Sequence, residues 1–358
     1  MACLDGLRGA LAVYVMLSHL APFAAIPPWA AGALSHGGAA VDVFFALSGM
    51  VIALSLDRFA WKPAAFLRAR ARRILPAYLA VLALAVAAQP LALPFARMPW
   101  IAAGSPARAI WSGGWPAAWA PELAAHLTMT HGLFPRAVLP DAWVSFLGAA
   151  WSLSTEWQFY ALLAALAAWR GERARRLVLP LLLVLAGAGL GWAALASPGL
   201  HFSRAFLPNK AALFALGVAG AGWQARLPGA GLRYALVLGA ALACGIAWGG
   251  AGKLAAPLVW TAALMAERGA LPWLGAMLRL PAARWLGAVS YPLYLVNEPV
   301  QKLLGVALAG AAGGDAAAFT LAWLPLAAVV PLLAAWGLHL GIERRLLSPL
   351  SGARRIAI

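Results

Sequence analysis

Four ionisable side chains stand inside stretches that are otherwise apolar: His19, Asp42, Glu156 and Glu298, with Lys302 near the end of the last one. A neutral imidazole can take the proton from a hydroxyl or carry an acyl group briefly. A carboxylate beside it orients the ring or aligns the hydroxyl. Arg8 precedes His19 by eleven residues, about three helical turns, so both project from one helix face about 16 Å apart. Asp5, three residues before Arg8, is spaced to pair with it. Arg68, Arg70, Arg72 and Arg73 crowd together ahead of Pro76. Guanidinium forks grip phosphate oxygens two at a time. The same cluster also suits a cytoplasmic loop drawn to anionic headgroups, at about 1 kcal/mol per basic residue.

Two polar stripes accompany these charges. Ser152, Glu156 and Tyr160 recur every fourth position within Trp151-Ser152-Leu153-Ser154-Thr155-Glu156-Trp157-Gln158-Phe159-Tyr160, which places them on one helix face. Tyr291, Tyr294, Asn297 and Glu298 form a second stripe. Hydroxyls alone serve to join helices in lipid, and a lone histidine can do the same. A glutamate on the same face fits a cavity better. The depths overlap: His19 lies about 22 Å along its span, and Glu156 and Glu298 each about 20 Å in from an end. Asp42 lies in the first turns of its own span. One shared cavity is the expectation. Cys3 and Cys244 sit in apolar context and form neither a disulfide framework nor a metal pattern, so no metal is expected.

The elements that must position these groups follow from composition. The 358 residues are 64% apolar and 11% charged, with mean hydropathy +0.82. A soluble domain runs at about 45–50% apolar and about 25% charged, so a soluble enzyme core is excluded. The chain reads as an all-α polytopic membrane protein, a single transmembrane domain over 1–358. The apolar runs predict about ten spans: 4–22, 37–56, 74–95, 143–169, 177–196, 205–223, 232–248, 253–266, 285–308 and 319–342. The stretch 269–284 is expected along the interface.

The net charge of +16 is no sign of nucleic acid, because the basic residues lie between spans rather than on one soluble face. With the amino terminus in the cytoplasm, twenty basic residues fall inside. Seven fall outside: Arg97, Arg108, Arg136, Arg204, Lys210, Lys253 and Lys302. That asymmetry puts both termini inside. The long loop 96–142 is then external, its tryptophans expected at headgroup level and 122–134 a short helix over a cavity mouth.

These residues resemble membrane-bound acyltransferase family 3, whose members modify glycans, lipids and antibiotics. The resemblance rests on Leu4-Asp5-Gly6-Leu7-Arg8-Gly9 leading to His19, on Val41-Asp42-Val43-Phe44-Phe45-Ala46-Leu47-Ser48-Gly49, and on Arg70-Ala71-Arg72-Arg73-Ile74-Leu75-Pro76. It continues through Ala150 to Tyr160 and through Ser290-Tyr291-Pro292-Leu293-Tyr294-Leu295 with Pro299. The family often has histidine where this chain has Asn297, which hydrogen-bonds but does not titrate.

The resemblance implies an acyl-coenzyme A donor, acetyl-coenzyme A first, reached from the cytoplasm of a bacterial inner membrane. The acceptor is a hydroxyl on a carbohydrate or lipid-linked glycan. His19, Glu156 and Asp42 are the expected catalytic residues, with either carboxylate orienting the imidazole or aligning the acceptor. Arg8, Arg70 and Arg73 are expected on the donor, and Ser152, Trp157, Tyr160, Tyr294 and Asn297 on substrate. Membrane lipids are the remaining partners. A transporter or flippase using the same intramembrane His and Glu, or a family member without catalysis, are the competing readings.

Overall fold

The computed structural model describes residues 1–105, 107–108 and 111–347. Arg354 and Arg355, counted above on the cytoplasmic side, lie outside the described residues. Numbering helices of seven residues or more, the order is α1 Ala2–Leu20, α2 Gly37–Arg58, α3 Pro63–Ala87, α4 Trp119–Leu127, α5 Trp151–Arg170 and α6 Arg175–Leu195. It continues with α7 Ala211–Gln224, α8 Ala230–Gly249, α9 Ala255–Glu267, α10 Pro272–Leu278, α11 Pro281–Ala311 and α12 Ala316–Leu338. Among the described residues there is no strand, only one isolated bridge between Pro135 and Phe202. Among the described residues four helical stretches, Pro28–Arg58, Gly148–Leu195, Ala230–Gly249 and Ala316–Leu346, are long and apolar enough to cross a bilayer. Helix is the only open-ended way to satisfy backbone groups in hydrocarbon.

Glycines set the helix neighbours. A Cβ on Gly9 would come 2.6 Å from the Ala283 carbonyl oxygen, and one on Gly287 2.1 Å from that of Asp5, so α1 and α11 touch backbone to backbone. Gly49 and Gly217 bring α2 and α7 together in the same way. Close approach through small residues is how helices gain contact when lipid removes the hydrophobic drive. The α1–α11 contact brings Asn297 to His19.

The arginine cluster is helical, not a loop. α3 starts at Pro63, a favoured first helical position, so the arginines occupy its second and third turns. At about 100° per residue Arg70 and Arg73 share the inward face, while Arg68 and Arg72 are exposed.

The described part of the 96–142 loop packs more tightly than headgroup-level tryptophans would. Trp111 is buried, its ring stacked on Phe23 at 3.7 Å, beside Trp323, whose indole donates to the Leu20 carbonyl at 2.9 Å. These rings cap the carboxyl end of α1. Trp115 and Trp119 stay about half exposed. A short helix does form, but as α4 over Trp119–Leu127 rather than over 122–134, and His126 in its last turn stacks on His131, 4.1 Å between centroids. Burial holds His131 down at about 4 and His126 well below its ordinary range.

Candidate active site

The groups expected in one cavity are spread over three regions, one of them a pair of adjoining chambers that share Glu298. The first chamber, about 110 Å³, lies toward the amino end of α1. Arg8 reaches it from α1, Ser48 from α2, and Arg70 and Arg73 from α3. Ser152, Glu156 and Tyr160 enter together from α5, as their spacing requires, and Tyr291 and Tyr294 come from α11. No ion pair joins Arg8 to Asp5 among the described residues, so Arg8 contributes a third guanidinium instead of being spent on its neighbour.

Hydrogen bonds fix this chamber's charges. Ser48 and Tyr160 each donate to one oxygen of Glu156, Tyr160 at 2.9 Å. Arg70 donates to Ser55, and its guanidinium carbon lies 5.8 and 5.9 Å from the Phe66 and Tyr160 ring centres. Its buried Nε has no partner among the described residues. An orphaned cationic donor costs about 1–3 kcal/mol or more, so a phosphate or carbonyl oxygen arriving there has a donor waiting. The opposite face of α5 is architectural: Ser154 accepts from the Gly132 amide at 3.0 Å and donates to the Met129 carbonyl at 2.8 Å, and Thr155 and Gln158 both donate to the Ala205 carbonyl at 2.9 Å. Trp157 meets the Tyr160 ring edge-on at 6.0 Å and does not line this chamber.

His19 opens onto a second chamber of about 290 Å³ at the carboxyl end of α1, with Trp111, Trp143, Trp151, Arg204 and Glu298 around it. Its Nδ1 lies 2.7 Å from Asn297 Oδ1. The Asn297 amide group is fully committed, donating to the Leu293 and Tyr294 carbonyls at 2.8 Å each, so only its oxygen is left for the imidazole. The proton of the neutral ring therefore sits on Nδ1, and Nε2 keeps its lone pair. Contrary to the expectation that Glu156 or Asp42 orients the imidazole, neither is hydrogen-bonded to His19: Glu156 is held by Ser48 and Tyr160, and Asp42 by Lys210 and Lys253. Asn297 orients it, which its spacing in α11 alone could not reveal.

The first turn of α5 divides the two chambers. Trp151 lines the imidazole side and Ser152 the arginine side. Ser152 donates to the Tyr294 hydroxyl at 2.8 Å, and Tyr294 donates to the Ala149 carbonyl at 2.9 Å, which closes the partition.

Glu298 lines the imidazole chamber and also an adjoining one of about 380 Å³ that holds Asp141, Ser145 and Lys302. A Cβ on Gly148 would sit 2.7 Å from its carboxylate, so the missing side chain makes its room. Asp42 goes elsewhere: Lys210 Nζ lies 2.5 Å from one oxygen and Lys253 Nζ 3.5 Å from the other, in a third region of about 260 Å³. Ser48 was legible as part of the motif around Asp42. Arg204 and Lys210 had only charge as a signal. Among the described residues no cluster of His, Cys, Asp and Glu is arranged to hold a metal ion.

A family model described as an acyltransferase domain, acyltransferase family 3, matches residues 1–340. No curated protein and no solved structure matches the chain.

Proposed function

The chain belongs to acyltransferase family 3, and from that premise we propose that it is a multi-pass acyltransferase of the bacterial cytoplasmic membrane, moving an acyl group, acetyl first, from cytoplasmic acyl-coenzyme A to a hydroxyl of a carbohydrate-type acceptor. The observation that carries this reading is the pairing of His19 with Asn297, which leaves a free Nε2 lone pair in one chamber while three arginines line another across a thin partition.

The roles divide by chamber. Arg70 and Arg73, with Arg8 behind them, hold the donor's phosphates and carbonyls through charge-assisted hydrogen bonds. Glu156 keeps the Tyr160 ring against Arg70 and so shapes the donor wall. The donor's flexible arm carries the thioester to the partition, where the Ser152 and Tyr294 hydroxyls must part to admit it. On the far side an acceptor hydroxyl gives its proton to His19 Nε2, its oxygen bonds to the thioester carbon, and the carbon–sulfur bond breaks. The departing thiolate takes the proton back from the imidazolium. Passage through an acyl-imidazole uses the same lone pair, and label trapped on His19 distinguishes that route. Trp143, Trp151 and the Glu298 carboxylate offer flat apolar faces and an acceptor for hydroxyl protons, surroundings that suit a sugar.

Calorimetric titration of acetyl-coenzyme A into the protein in nanodiscs tests the donor half. Wild type should bind, and Arg70→Ala/Arg73→Ala should bind at least tenfold more weakly, since each charged hydrogen bond contributes about 1.5–3 kcal/mol. His19→Ala should bind normally and fail to release thiol. A folded protein that binds neither acetyl- nor longer acyl-coenzyme A refutes the donor assignment and moves a transport or non-catalytic role forward.

A further inference from the structure

The third chamber has no part in the reaction as described, and its charge is unusual. Of the seven basic residues assigned from sequence to the side away from the donor clamp, four converge there: Arg136, Arg204, Lys210 and Lys253. Basic residues are scarce on the side that a membrane protein exports, so four in one chamber call for an anion. Asp42 supplies a single negative charge and spends it on Lys210 and Lys253. Neither Arg136 nor Arg204 has a carboxylate within 4.0 Å among the described residues. The chamber carries an excess of three positive charges over a wall that is otherwise largely apolar, with Lys210 more than nine-tenths buried.

Arg204 connects this chamber to the chemistry. It lines the imidazole chamber as well, its guanidinium carbon 5.0 Å from the Trp143 ring centre and 5.6 Å from that of Trp151. The two rings flank this exposed arginine at the boundary, and no acid pairs with it among the described residues. A single carboxylate would leave most of the excess charge standing. A phosphate monoester dianion or a diphosphate matches it, and forked guanidiniums suit its oxygens.

We infer that this chamber binds a phosphoryl group on the acceptor, so that the molecule acylated at His19 is anchored past Arg204 by its phosphate. The assignment of the reaction to acceptors of this class rests on the proposed function, whereas the anion site itself does not. The phosphate belongs either to a lipid headgroup or to a soluble sugar phosphate.

The test uses the full chain in nanodiscs of phosphatidylcholine, titrated calorimetrically with glucose 1-phosphate, with dihexanoyl phosphatidic acid, and with glucose as the neutral control. At least one phosphate probe should bind where glucose does not. Its affinity should fall at least tenfold in Arg136→Gln/Arg204→Gln and stay unchanged in Arg70→Ala/Arg73→Ala. Binding of glucose 1-phosphate identifies a sugar phosphate as sufficient, and binding of the lipid alone identifies a headgroup. Lys253→Gln, at a half-exposed position, provides a second variant with the same expected direction if the double one does not fold. The inference is overturned if neither probe binds, if the chamber variants bind as wild type does, or if the loss appears in Arg70→Ala/Arg73→Ala instead. Acetyl-coenzyme A titrated into the same samples separates the two readings: its binding without phosphate-probe binding removes this inference and leaves the acyltransferase reading intact.

Discussion

Replacing Asn297 with valine tests whether the imidazole is held in one tautomer. Asn297 is fully buried, and its oxygen is the partner of His19 Nδ1 at 2.7 Å. Valine removes that acceptor while filling much of the space, which keeps water from taking its place. The ring then has two options. It can keep the proton on Nδ1 and leave a buried donor unpaired, or move it to Nε2 and give up the lone pair that accepts the acceptor's proton. The first costs about 1–3 kcal/mol, so the reactive tautomer becomes rarer by that free energy. At about 1.4 kcal/mol per tenfold, turnover should fall about 5- to 150-fold. The assay is thiol release from acetyl-coenzyme A in nanodiscs, with acetyl-coenzyme A affinity measured alongside. Affinity should be unchanged, because Asn297 does not line the arginine chamber. Asn297→His, which restores an acceptor nitrogen, should recover most of the rate. Turnover of Asn297→Val within twofold of wild type, with His19→Ala inactive, would refute the tautomer argument.

Three further outcomes are expected. Asp42→Asn leaves Lys210 charged and buried without its partner, a loss of about 3–5 kcal/mol that should lower the thermal midpoint in nanodiscs. Asp42→Asn/Lys210→Met should recover most of it, and failure of that rescue would refute the buried pair as the source of the loss. Gly287→Ala drives a methyl to 2.1 Å from the Asp5 carbonyl oxygen, which should cost about 1–3 kcal/mol and reduce turnover by moving α1 off α11. Gly187→Ala, with nothing within 4 Å of the added carbon, should change neither. Stability should also fall on acidification. Burial lowers His131 to about 4, so below about 6.5 the unfolded chain takes up a proton that the folded chain refuses. The loss from His131 is absent above pH 6.5, reaches about 2 kcal/mol at pH 5 and levels off near pH 4. Midpoints measured from pH 7.5 to 4.5 should fall less steeply in His131→Asn, and equal slopes would remove His131 as the cause.

Much of the arginine chamber could be read from the sequence because its pattern is local. Ser152, Glu156 and Tyr160 line one chamber together, and Arg70 and Arg73 turn inward while Arg68 and Arg72 stay out, because 3.6 residues per turn fixes those relations once the segment is helical. Helix itself was equally determined, since apolar runs of that length in lipid have no other way to pair their backbone groups. The arginine cluster reads as a loop because its charge obscures a helix that begins at Pro63, eleven residues ahead of the inward-facing Ile74.

Partnerships between helices are another matter. Asn297 meets His19 across 278 residues and Lys210 meets Asp42 across 168, and nothing in the local period selects those pairs over Glu156 with His19. Depth along a span, which the sequence does give, put all of these groups at overlapping levels and so predicted one cavity. The first turn of α5 and the Tyr294 hydroxyl divide that space instead. What decides the pairing is which helices lie side by side and at what rotation. In lipid that choice rests on close backbone contacts such as Gly9 against Ala283 and Gly287 against Asp5. The sequence by itself determined the helices, their polar faces and the chemistry those faces carry. The tertiary packing alone decided which face meets which, setting Asn297 against His19 and Lys210 against Asp42.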